Sequence, residues 1–216
     1  MAGLVVTTAP TQEPLALQEV KDYLRLADAI DERVLQDLVE ASRQFAERSL
    51  MTQTLTLTVN AVASTEDPLW EGWKTGPDLN NYKNYINLIN GPVQSVTTVK
   101  TYNDSDVATT MAASKYYVDV ARDQARVVLR RGETFPTALR VANAIEVVYV
   151  AGYTSQSAIP ATIRIGLLQH IAYLYEQRGD MGDVQQASTM PPALKMLYAP
   201  YVVHSGMGSS SLLALG

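Results

Sequence analysis

The chain has 216 residues, 47% of them hydrophobic and 18% charged, which is enough to build one large or two small packed domains of roughly 100–200 residues and does not fit a disordered chain. A net charge of −5 with no run of basic residues argues against a protein that grips nucleic acid through counterion release, and the absence of cysteine excludes disulfides, thiolate zinc sites and cysteine nucleophiles. The N-terminal MAGLVVTTAPTQEP lacks the positive n-region of a secretory signal, and no apolar run approaches the ~18–20 residues of a membrane helix, so a soluble protein made in the cytoplasm is expected.

In chain order, residues 17–27 place Leu17, Val20, Leu24 and Ala27 on one helical stripe. Asp31 is a candidate N-cap for a second helix, with Glu32 favoured by the helix dipole. Leu35, Leu38, Ser42 and Phe45 are expected to share its buried face, flanked by Val34, Val39 and Ala46. The period then falls to two: in QTLTLTVN, Leu55, Leu57 and Val59 alternate with threonines, as in a half-buried strand.

To about residue 150 the pattern is that of a small β domain of about six strands. NYINLI, VQSVTTVKTY, KYYVDV, ARVVLR and AIEVVYV are β-branched and tyrosine-rich runs. Turn signals at Asn90-Gly91-Pro92, Asn103-Asp104-Ser105-Asp106, Arg122-Asp123 and Arg131-Gly132 separate them. Residues 61–83, bearing Trp70 and Trp73, read as a long loop.

Helical period returns after Pro160. Ile163, Leu167, Ile171 and Leu174 form one face, and Leu168, Ala172 and Tyr175 widen it, so this helix is expected to be central. Gly179 stands where a helix C-cap glycine belongs. A last helix begins near Pro192, with Leu194, Leu197, Tyr198 and Tyr201 on its apolar face. The tail HSGMGSSSLLALG is glycine- and serine-rich, then apolar. Helices at both ends around a β block predict an α+β fold: a small four-helix bundle with an inserted antiparallel β domain. The expected division is 1–50 plus 160–203 for the helical core, 51–159 for the β domain, and 204–216 for a tail that is flexible before docking.

Catalytic and binding constellations are weak. His170, one of two histidines, lies on the Ile163/Leu167/Leu174 side of its helix, and no sequence motif supplies the carboxylate and nucleophile a catalytic histidine needs. A buried, hydrogen-bonded core histidine is the simpler reading. Asp104 and Asp106 resemble the start of a calcium loop, but the other ligands and the loop glycine do not follow, which favours a hairpin turn. Arg178-Gly179-Asp180 matches an adhesion tripeptide at a place where a helix end already explains it. Trp70, Trp73, Tyr82 and Tyr85 are candidates for an aromatic platform that contacts a partner protein or, less simply, a sugar, and buried anchors of a long loop explain them as well. No phosphate-cradling glycine motif occurs, so no cofactor and no metal site are expected, and the chain does not read as an enzyme.

Taken in order, several segments say more. EPLALQEVKDYLRL and DERVLQDLVEASRQFAERSLMTQTLTLT are followed by INGPVQSVTTVKTY, YYVDVARDQARVVL and IEVVYVAGYTSQSAIPATIRIGLLQHIAYLYEQRGD, then PPALKMLYAPY. Together they resemble the head–tail connector family of tailed bacteriophages, also called adaptor or head-completion proteins, with relatives in gene transfer agents. The most specific part is a strand ending in AGY, a short loop, and I-P-x-x-I-R-x-x-L-L-x-x-x-A-x-x-Y-E-x-R. Ala16 departs from the Ser or Thr N-cap common in the family, and the 61–83 loop and the tail extend beyond the shared core.

The resemblance implies a structural virion part with no catalytic residue. It would be a homo-oligomeric, typically dodecameric ring in the neck, assembled in the host cytoplasm. Its partners would be the portal protein, the next neck or tail-completion protein, and passing double-stranded DNA that it does not bind by sequence. A stopper or tail-terminator ring is the alternative within the same neck. The helices are expected to frame the ring, with the β domain facing outward or toward a neighbour. The candidate portal-docking residues are His204, Met207, Leu212, Leu213 and Leu215 in the tail, and Trp70 and Trp73 are candidates for contact with a neighbour or the tail. Deleting residues 205–216 is expected to weaken docking onto a portal ring, measured by co-sedimentation, while leaving the thermal unfolding of the monomer unchanged.

Overall fold

The computed structural model describes residues 3–26, 31–46, 50–60, 85–121, 124–136, 138–177, 191–198 and 201. The 61–83 loop with Trp70 and Trp73, the Arg178-Gly179-Asp180 tripeptide, and the tail from His204 to Leu215 lie outside these residues. The described chain divides into two compact units, one of strands (3–9 and 52–152) and one of helices (10–51 and 153–201).

The first unit holds eight strands in two antiparallel sheets. They are β1 (Gly3–Thr8), β2 (Gln53–Val59), β3 (Tyr85–Asn87), β4 (Val93–Tyr102), β5 (Ala108–Thr110), β6 (Tyr116–Asp119), β7 (Arg126–Leu129) and β8 (Ile145–Ala151). The larger sheet runs β1-β2-β8-β4-β5 and the smaller β3-β7-β6. Strand β8 is central in the larger sheet, with Leu57 of β2 and Val99 of β4 both paired to its Val147. Its alternate residues Ile145, Val147, Tyr149 and Ala151 are fully buried. They meet Leu55 and Leu57 of β2, Ile86 of β3 and Val127 and Leu129 of β7 in one core shared by both sheets. The Tyr149 phenol, inside that core, donates to the carbonyl of Ile89.

Two strands were not legible in the period. Residues 3–8, which the sequence reading placed with the helical core, are instead the edge strand β1, with Leu4 opposite Leu57 and Val6 opposite Leu55. The short β5 has all three residues exposed, so it lacks the apolar alternation that marks a strand. The expected turn between β4 and β5 is present: Asn103 Oδ1 accepts from the backbone N–H groups of Ser105 (3.0 Å) and Val107 (2.9 Å). Asp106 there pairs with Arg140 at 3.1 Å.

The second unit contains α1 (Leu17–Leu24), α2 (Glu32–Phe45), α3 (Ala161–Glu176) and α4 (Pro192–Tyr198). Helix α3 packs against α1, α2 and α4. Ile163, Leu167 and Ile171 are buried with Val20 of α1, Leu35 and Val39 of α2, and Tyr198 of α4. Gly166 lets α4 come close, since a Cβ there would lie 3.0 Å from Tyr198 Cε1.

Two local expectations are corrected. The buried face of α2 is Leu35, Val39 and Ser42, continued by Ala46, whereas Phe45 is 56% exposed, so the inward stripe is rotated by one residue. Asp31 begins α2 but caps nothing with its side chain. Its Oδ2 instead accepts from the Tyr175 hydroxyl at 2.6 Å, which ties the end of α3 to the start of α2. Ala16, at the N-cap of α1, likewise supplies no side-chain bond.

Leu167→Ala in α3 is expected to cost ~2–5 kcal/mol, the range for a buried leucine that leaves a cavity, measured by urea denaturation. Tyr149→Phe, which strands the Ile89 carbonyl, should cost ~1 kcal/mol.

Candidate functional site

His170 is 2% exposed on α3, and its ring meets Phe45 of α2 edge-on at 5.2 Å between centroids. Burial holds its pKa below the usual histidine value. Among the described residues its Nδ1 has no hydrogen-bond partner, so the histidine is buried as expected but this nitrogen is not hydrogen-bonded. A neutral imidazole packed on a phenyl ring and lacking an orienting carboxylate at Nδ1 has the surroundings of a core residue. Among the described residues no group of three or more His, Cys, Asp or Glu side chains could hold a metal ion, and no helix is long and apolar enough to cross a membrane.

The most connected polar cluster lies on the larger sheet. Glu146 of β8 accepts from Lys100 Nζ (3.1 Å) and the Tyr102 hydroxyl (2.9 Å) of β4. Burial pushes the Glu146 carboxyl up, but the hydrogen bonds from Lys100 and Tyr102 and the charges of Lys100 and Arg140 outweigh it and hold the group below its usual range. Arg140 sits over the Tyr102 ring, 4.0 Å from its centroid, and donates to the Asn143 carbonyl. Each charge has a partner, so the cluster clamps β4, β8 and the 140–143 turn.

A groove of about 420 Å³ opens in the helical unit, lined by Glu13, Leu15, Leu17, Gln36, Asp37, Val39 and Glu40. Leu15 and Val39 are buried in its floor. Arg43 fixes one wall by a two-pronged pair with Glu13 (2.9 and 3.3 Å) and reaches Glu40 at 3.4 Å. Gln156 Nε2 also holds the Glu13 carbonyl, at 2.8 Å. Three carboxylates thus line an apolar-floored cleft against one guanidinium. Sequence reasoning missed this groove because its walls come from the segment before α1 and from α2, and no local spacing signals their approach. His170 is a core residue and is not among the residues that line the groove, and Asp104 and Asp106 belong to a hairpin turn of the strand unit. The candidate docking residues His204, Met207, Leu212, Leu213 and Leu215, and Trp70 and Trp73, fall outside the described residues.

No protein-family model and no curated protein matches the chain. Solved structures do. The chain is similar to one in the neck of an empty gene transfer agent particle with C6 symmetry, at a TM-score of 0.68 and 22% identity over 93% of this chain and 95% of that one. It is also similar to a chain in the neck of the native particle with C12 symmetry (TM-score 0.61, 22% identity, 94% and 95% covered). A third similar chain belongs to the virion of the native gene transfer agent particle (TM-score 0.63, 20% identity, 93% and 95% covered). At these identities the likeness is one of fold, and it spans both the helical and the strand-bearing parts of the sequence.

Because His170 is neutral in its buried site, lowering the pH below ~6.5 protonates it more readily in the unfolded chain than in the folded one. Stability is therefore full above that value and is lost as pH falls toward the depressed folded value. Denaturation midpoints measured from pH 8 to 5 should decline more steeply for the wild type than for His170→Gln.

Proposed function

We propose that the protein is a structural component of the neck of a phage-like particle: a ring subunit that docks under the portal, extends the DNA channel and joins capsid to tail. The observation that carries this reading is the fold likeness to neck chains, which runs along more than nine-tenths of this chain and of those chains, in particles with C6 and C12 symmetry. The ring in this reading is dodecameric, in keeping with the C12 symmetry of one of those necks. The order of sequence segments that resembles head–tail connectors points to the same place independently of the coordinates.

The physical chemistry fits that role. A channel that must hold and then release a genome gains nothing from tight phosphate binding, and a subunit with net charge −5 supplies little counterion-release affinity. Buried His170 and the fully paired Glu146 cluster suit a scaffold. In this reading α1–α4 form a four-helix bundle that frames the ring. The tail 204–216, with His204, Met207, Leu212, Leu213 and Leu215, orders on the portal, and Trp70 and Trp73 touch a neighbour or the next tail component. The partners are the portal protein, the following neck protein and passing duplex DNA, and the site of action is the virion neck.

Mixing the purified chain with a portal ring and weighing the product by native mass spectrometry tests the assignment. The expected product is one portal ring carrying a closed ring of this chain. Binding only to a preformed portal–adaptor complex, and not to the portal alone, would move the protein to the stopper position.

A further inference from the structure

The surface of the strand unit carries a feature complementary to the acidic groove of the helical unit. Arg130 and Arg131 are the only adjacent basic residues in the chain. They open the turn that follows β7, closed by a hydrogen bond from the Glu133 N–H to the Arg130 carbonyl at 3.0 Å. Gly132 occupies the third position of that turn with φ +88°, the left-handed geometry of a type II turn that glycine meets without strain. A Cβ placed on Gly132 would meet nothing within 4 Å, so the tip projects into open space.

The other charges beside this turn are already matched. Lys115 pairs with Glu133 at 3.1 Å and Arg126 with Asp119 at 2.9 Å, which leaves the two arginines as the local positive excess. Apolar surface lies alongside in Tyr117, which is 45% exposed. Arg130 stands 6.0 Å from the centroid of the Tyr117 ring.

The groove has the opposite character. Glu13, Asp37 and Glu40 line it, Arg43 offsets only part of their charge, and Leu15, Leu17 and Val39 give it an apolar floor. Its volume of about 420 Å³ lies within the roughly 300–1,000 Å³ of clefts that enclose a ligand. Knob and groove are different surfaces of the same chain, and a contact between different surfaces of identical subunits is head-to-tail, the kind that closes into a ring.

We propose that the Arg130–Gly132 turn of one copy seats in the Glu13/Asp37/Glu40 groove of a second copy, with the arginines meeting the carboxylates and the apolar flank of the turn covering the leucines. The proposal rests on the neck-ring reading and assigns the surfaces through which neighbouring subunits meet.

The chain has no cysteine, so Asp37→Cys with Arg131→Cys introduces the only two thiols. In particles assembled with this variant, mild oxidation is expected to give a ladder of covalently linked copies on a denaturing gel, and neither single variant should give one longer than a dimer. In a second arm, Arg131→Glu should lower incorporation into particles about tenfold or more, and adding Asp37→Arg in the same chain should restore it. Variant chains that enter the particle yet give no ladder overturn the contact and leave the neck reading standing. Loss on Arg131→Glu without restoration by Asp37→Arg also overturns it, because the turn would then meet something other than the groove. A wild-type chain absent from the neck overturns the neck reading itself.

Discussion

Both hydrophobic cores are organised by one stretch of chain, residues 145–176. Strand β8 lies between β2 and β4, so each of its backbone edges is paired and its alternate side chains must be apolar on the core side. A short irregular segment later, α3 is packed against α1, α2 and α4 and carries the largest share of the second core. The link between them begins at Gly152, whose φ of +110° lets the strand turn sharply away. The Gly152 N–H donates to the Pro92 carbonyl at 2.8 Å, and its own carbonyl accepts from Gln94 at 2.7 Å, so the exit from the sheet is held on both sides. A substitution that upset this exit would disturb the registration of β8 and the start of the helix that follows.

The same stretch explains which parts of the fold were legible. Strand β8 and helix α3 are long and apolar and β2 alternates cleanly, so their positions followed from the residues alone. Strand β4 was legible through its β-branched composition, its valines standing three apart and its pairing to β8 shifting register twice. The edges were not. GLVVTT carries no alternation and β5 is three exposed residues, because an edge strand buries little and its sequence is set by pairing more than by core contacts. Local chemistry misled at Asp31, where a tertiary partner, Tyr175, took the carboxylate that a helix N-terminus would otherwise use. Phe45 misled in another way: an aromatic ring on an amphipathic helix was read as core, whereas it lies at the core's margin against His170.

The candidate sites divide along the same line. That His170 belongs to the core was readable from its apolar neighbours, while its unpaired Nδ1 was not. The groove was invisible in sequence because Glu13 and Asp37 are brought together only when the segment before α1 folds across α2, held by Arg43 and Gln156. In the functional reading, recurrence of this two-part fold in neck chains matters more than any single residue. A scaffold protein is expected to place its specificity in surface complementarity, and the described surface has the uneven charge such contacts use: a carboxylate-lined cleft and one isolated pair of arginines.

The proposed location of the protein is a ring at the neck, directly beneath the portal. A cryo-electron microscopy map of the particle that contains this chain, reconstructed at the portal vertex, tests it most directly. Density for a closed ring of this fold, in contact with the portal and surrounding the DNA channel, is expected. Density for this chain only in the tail tube, the capsid shell or a position separated from the portal by another ring would contradict it.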